Sequence, residues 1–345
     1  MKAIKFFAIT AMAAAMITSC SNEDELSQSN YPSDNIIRIT AGVNNAKTRA
    51  DETAGTPLEN PLSLTVVNKY TENTELAKKY TYVNKVFTKD GNGVWNCSET
   101  QPLLWQNSET RVDIVAFAPA VENNPFANVY NNETREFSGF SYSVAANQSQ
   151  SKAFDENDLL YNYTPGFVPG GTNLDENGKL NIKMNHAFCM IDIIVTLGTE
   201  FNVDGIPSTS PITEVTLGGT KIEANVNVAA ATDKITANST AEAKDITATP
   251  GEFTTPENDD KEKPCISRFS CITVPQNVAA KTFKVSLKTA DKLYEWTSKD
   301  PVKLESGYRY TLELTMGNNV VLLKGGSITA KPWTEITSDK PLETD

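Results

Sequence analysis

The chain carries one histidine in 345 residues, His186. That scarcity removes most common catalytic arrangements. No Gly-x-Ser-x-Gly, no His-Glu-x-x-His and no phosphate-cradling glycine loop is present. His186 stands in a run of apolar residues, where a structural role is expected. Acidic pairs occur at Asp155-Glu156 and Asp175-Glu176, both beside turn residues. A glycosidase needs two carboxylates set across a sugar cleft, and nothing in their placement suggests one. No catalytic residue and no cofactor is expected.

Positive charge is also short. Lys and Arg total 31 against 43 Asp and Glu, a net charge of -12. No basic stripe is available to follow a phosphate backbone, so nucleic acid is not an expected partner. Cysteine is sparse too, and none of it has the spacing of a metal knuckle. Cys265 and Cys271 are six positions apart, about 20 Å on one straight strand and beyond disulfide reach. With Cys97 and Cys189 they are expected to be free, buried thiols. The acidic loop from Thr254 to Pro264 lacks the spacing of a calcium loop and carries offsetting lysines, so no metal site is expected there.

Long apolar runs are absent but for one. Lys2 and Lys5 precede Phe6–Ile17, a run too short to span a bilayer, followed by Ser19-Cys20. This is the pattern of a lipoprotein signal peptide over residues 1–19. Cys20 would take the lipid and begin the mature chain. Loss of Lys2 and Lys5 moves the side-chain charge from -12 to about -14. Residues 20–35 are polar and read as a tether. The acidic cluster Glu23-Asp24-Glu25 resembles a signal for export to the outer face of the outer membrane.

The rest reads as all β. Tyr308–Met316 alternates with Tyr308, Tyr310, Leu312, Leu314 and Met316 on one face and Arg309, Thr311, Glu313 and Thr315 on the other. Val112–Ala118 is apolar on both faces, as a central strand would be. Asp90-Gly91-Asn92-Gly93 and Glu176-Asn177-Gly178 are turn signals. Leu180, Ile182, Met184, Phe188 and Met190 share even numbers, whereas Ile191, Ile193, Val195 and Leu197 are odd. A strand has a side-chain period of two, so this switch turns the buried face over. Either a bulge or a strand passing from one sandwich to another would produce it, and the second is the expectation. The domains are then 36–178 and 179–345.

Residues 36–43 read as a first strand, with Ile37, Ile39, Ala41 and Val43 on one face. A polar stretch containing Arg49 and Ala50 follows. A strand tethered by an arginine-bearing loop is open to removal by an arginine-specific protease. Its loss would leave an apolar groove with unpaired edges, which an incoming strand would fill. On chemistry alone Arg49 is better read as a solvated loop residue, because exposed arginines are common.

Several stretches in order resemble the fimbrillins of type V pili and the fimbrillin-like surface lipoproteins of Bacteroidales. They are Cys20 with its preceding residues, Ile36–Thr40, Thr48-Arg49-Ala50, Pro102-Leu103-Leu104-Trp105 leading to Val112–Pro119, and Asp158-Leu159-Leu160-Tyr161. Leu180–Leu197 around His186-Ala187-Phe188, Leu304–Tyr310 and Ile328–Trp333 continue the match. The resemblance implies two transthyretin-like β-sandwiches in series. It implies a precursor lipidated at Cys20, cleavage of the Arg49-Ala50 bond, release of strand 36–43, and polymerisation by donor-strand exchange into a fimbria that mediates adhesion. Implied partners are other copies or related fimbrial subunits, the outer membrane through the lipid, and an arginine-specific protease. Candidate donors are Val320–Leu323 and Ile328–Trp333. The rival expectations are a monomeric outer-membrane lipoprotein that captures glycan or host protein and, less favoured, a secreted hydrolase on a β scaffold.

Overall fold

A computed structural model describes residues 29–44, 56–120, 124–150, 156–317, 320–324 and 328–333. Strand is the dominant regular structure of these residues, with a short helix at Thr74–Lys79 and single turns of 3-10 helix at Pro125–Asn128, Thr199–Asn202 and Glu257–Asp259. The all-β expectation holds.

Among the described residues, eight strands form the first sheet. Their spatial order is Thr56–Pro57, Arg38–Val43, Lys179–His186, Leu160–Phe167, Val112–Ala118, Leu62–Asn68, Tyr82–Lys89 and Trp95–Cys97. Two adjacent interior strands are covered on both faces. Leu62–Asn68 and Val112–Ala118 are buried at every position. Leu64, Val66, Ile114 and Ala116 pack into one core, while Val67, Val115 and Phe117 belong to a second core on the other face. Both faces of the sheet are therefore covered, which explains why Val112–Ala118 is mostly apolar on both faces.

The second core lies between further sheets. Thr249–Thr254, Ile266–Thr273, Cys189–Leu197 and Tyr308–Met316 pair in that order. Cys189–Leu197 runs antiparallel to Ile266–Thr273 and parallel to Tyr308–Met316. Ile191, Ile193, Val195 and Leu197 are fully buried, as are Leu312, Leu314 and Met316. Val215, Leu217, Val285 and Leu287 join the same core from a four-stranded sheet that includes Glu214–Gly218 and Lys284–Lys288. Alternation in the sequence marks these strands because each has one face in the core and one outside it.

The parity switch falls at Ala187-Phe188. His186 ends a strand of the first sheet and Cys189 begins a strand of the second. All four residues from His186 to Cys189 are buried. The two-way traffic between sheets does not stop there. Phe140–Ser143 pairs antiparallel with Glu223–Val226, 80 residues or more away in the chain. The Gln148 side chain accepts from the Ile272 amide and donates to the Ile272 carbonyl, both at 2.8 Å. Phe126 stacks on Phe117 at 4.7 Å, and Phe140 meets both edge-on. Residues 124–150 thereby tie the outer face of the first sheet into the second core.

All four described cysteines, Cys97, Cys189, Cys265 and Cys271, are free. Burial is the leading cause that pushes each thiol upward in pKa. Ile235–Ala237 pairs with Glu223–Val226, and Ile246–Thr247 pairs with Glu214–Gly218.

Candidate subunit interface

Arg38–Val43 lies parallel to Lys179–His186, with Ile39 beside Leu180, Ala41 beside Ile182 and Val43 beside Met184. Ile37, Ile39 and Val43 are 3–5 % exposed, and Ala41 packs against the same core from a half-buried position. The apolar side chains alternate inward because the strand period is two, as the sequence indicates. Burying each such Ile or Val contributes about 1.5–3 kcal/mol. The strand is therefore held chiefly by three inward side chains and one ladder.

Its other edge is mostly open. The Ile37 N–H donates to the Leu103 carbonyl at 2.8 Å, and the Trp105 N–H donates to the Asn35 carbonyl at 2.8 Å. The Asn44 N–H donates in the opposite direction, to Met184. Odd-numbered peptide groups thus face away from Lys179–His186, and those of Ile39 face outward. Across the gap stands Trp95–Cys97, the far edge of the same sheet, which curls to bring its two ends together. There the Ser98 N–H and the Val94 carbonyl bond inward, to Val86 and Asp90. The peptide groups of Trp95 and Cys97 accordingly face the gap. Among the described residues no ladder joins the two banks. The space between is a groove of about 350 Å³ lined by Ile37, Ile39, Phe87, Trp95, Cys97 and Leu103, with Arg38 and Lys179 at its rim.

Before the strand, a tight turn is pinned by charge. Arg38 Nη1 and Nη2 donate to the two carboxylate oxygens of Asp34 at 2.9 and 2.6 Å, and Asp34 also accepts from the Ile36 N–H. These bonds, with Arg38 first, hold the Asp34 carboxyl down at about 2.

At the other end of the chain, two segments share one outer edge. Val321–Leu323 pairs with Leu314–Met316, and Thr329–Pro332 pairs with Tyr308–Thr311, both antiparallel. Val320 and Leu322 are half exposed or more. Trp333 turns inward and is buried. Its ring lies flat on the His186 ring, 3.7 Å apart and tilted by 6°. His186 is buried and structural in its contacts, with Nδ1 2.9 Å from the Asp158 carboxylate. Sequence reading anticipates a structural histidine but not its stacking partner, since 147 residues separate the two rings and no local pattern joins them.

Cys20, Arg49 and Ala50 lie outside the described residues, so the expected lipidation and processing points carry no structural account. Trp95 and Trp105 are 8 % and 2 % exposed. An exposed aromatic platform for glycan is not formed by these two.

The fimbrillin-like family profile matches residues 48–333. This chain belongs to the fimbrillin-like family. The fold is shared by a Bacteroides ovatus protein assigned to cell adhesion, at 16 % identity and a TM-score of 0.60, covering 88 % of this chain and 99 % of that one. A second such protein, from Bacteroides uniformis, is 15 % identical with a TM-score of 0.54, covering 88 % of this fimbrillin-like chain and 100 % of its own. No curated protein matches the sequence. Membership of the family supports a fimbrial, structural subunit of the cell surface.

Proposed function

We propose that this fimbrillin-like chain is a polymerising subunit of a surface pilus. It is exported as a precursor lipidated at Cys20 and held at the outer membrane. An arginine-specific protease cuts the Arg49-Ala50 bond, and Ile36–Val43 leaves. An extended strand of the next subunit then takes its place beside Lys179–His186. Adhesion is the work of the assembled fimbria.

The observation that carries this reading is the seating of Arg38–Val43. It is an internal strand by its buried residues but nearly an edge strand by its hydrogen bonds, since among the described residues only Thr56–Pro57 adds to its far side, at Gly42 and Val43. Its departure would uncover Leu180, Ile182 and Met184, now 0–4 % exposed, together with one whole ladder edge. An exposed edge above an apolar floor is a template for strand addition. The C-terminal edge supplies two extended segments, Val321–Leu323 and Thr329–Pro332, each paired on one side only.

The test is limited cleavage of purified precursor with an arginine-specific protease, mapping the new N-terminus and following size by light scattering. A single cut at Arg49-Ala50 followed by long oligomers is expected, and Arg49→Ala should abolish both. A cut chain that keeps its first strand and stays monomeric would overturn the reading in favour of a monomeric surface lipoprotein.

A further inference from the structure

We propose that Trp333 and His186 form a clasp between the last described strand and the first sheet, and that this clasp sets how readily the strand opens. The use of that opening in assembly rests on the polymerisation reading above. The clasp itself does not.

Thr329–Pro332 has little of its own to hold it. It makes four register pairs with Tyr308–Thr311, yet all four of its residues are exposed. An edge strand without buried side chains opens at low cost, because detaching it uncovers little apolar area. The next residue reverses the situation. The Trp333 N–H donates to the Gly307 carbonyl at 2.7 Å, and its indole is buried against the imidazole of His186.

His186 is suited to be the fixed half. It closes the Lys179–His186 strand and pairs with Leu160 across the ladder. A carboxylate can only accept, so Nδ1 carries the hydrogen given to Asp158, and that bond sets the plane of the ring. Ser306 Oγ donates to the His186 carbonyl at 3.4 Å, tying the turn at Gly307 to the same residue. Nε2 is buried and has no hydrogen-bond partner among the described residues. The ring offers its flat face to Trp333, whose indole lies 3.7 Å away and tilted by 6°. The indole thus spans two sheets: its strand belongs to the second, and its stacking partner to the first.

Hydrogen exchange on the full uncut chain tests this, comparing wild type with Trp333→Ala, Trp333→Leu and His186→Ala. Each variant should speed exchange at least tenfold at the amides of Arg309, Thr311, Thr329 and Lys331, which face one another across this ladder. Each should also speed it at Leu160 and Ala187 in the first sheet, while Ile191–Val195 stays protected. The double variant Trp333→Ala/His186→Ala should exchange no faster than either alanine single, since both remove one contact. Wild-type protection in Trp333→Leu would overturn the clasp, because bulk alone would then suffice. So would equal loss of protection at Ile191–Val195, which would make Trp333 an ordinary core residue. After arginine-specific cleavage, the same variants should assemble faster. Freer exchange without faster assembly would leave the clasp standing and overturn the terminal strand as the donor.

Discussion

Ile39 sits beside Leu180 in a parallel ladder, and both side chains enter one core although 141 residues separate them in the chain. The contact joins the start of the described chain to its middle. It makes the first strand part of the fold.

Ile39→Ala should lower the stability of the uncut chain by about 2–4 kcal/mol, through lost burial and a cavity beside Leu180. Urea unfolding would show it as a fall in midpoint at constant slope. In chain cut after Arg49 and freed of its first strand, the same substitution should have no effect.

Asp34 predicts a pH response at the entry to that strand. Its folded-state value of about 2 lies below the unfolded carboxyl value, so its support is fully present above roughly pH 4 and lost as pH falls through 2. The amide resonances of Ile36 and Arg38 should move with that titration. In Asp34→Asn the movement should vanish. The pair is solvent-exposed, so the response is expected to be local rather than global.

Gly219 has φ +82, and a Cβ there would stand 2.0 Å from the Thr282 carbonyl oxygen. Gly219→Ala should cost about 2 kcal/mol or more, since strain and clash add. Gly91 in the hairpin before Trp95 has open space around its Cβ position. Gly91→Ala should change the thermal midpoint little, within about 0.5 kcal/mol.

Thiol labelling should separate the cysteines. Cys189, Cys265 and Cys271 are buried and Cys97 is half-buried at the groove. Burial raises all four thiols, so at pH 8 Cys97 should react slowly and the other three scarcely at all. In denaturant all four should react together. Filling the groove with an added strand should shield Cys97.

The sequence carries much of the local structure because a strand with one buried face must alternate. Tyr308–Met316 appears at its expected bounds, with Tyr310, Leu312, Leu314 and Met316 inward. Val112–Ala118 is central, as its two apolar faces require. The sequence places the change of parity between Met190 and Ile191; in the structure it falls a few residues earlier, at Ala187-Phe188, where the chain passes from one sheet to the other, and Met190 is only half-buried. Leu62–Asn68 was less legible. Ser63 and Thr65 look like solvent-facing positions, yet both are buried, because the outer face of the sheet is covered as well.

Tertiary structure alone decided the pairings. Nothing near Arg38 in the chain specifies Lys179 as its neighbour, nor sends Phe140–Ser143 to Glu223–Val226, nor brings Trp333 onto His186. Period, turn residues and capping act over a few positions, and they fixed which segments are strands and which side chains point inward. Sheet order, the curl that sets Trp95–Cys97 opposite Ile39 and the groove between them depend on how two apolar cores fill their volume. That is a property of the whole packed chain and of no segment within it.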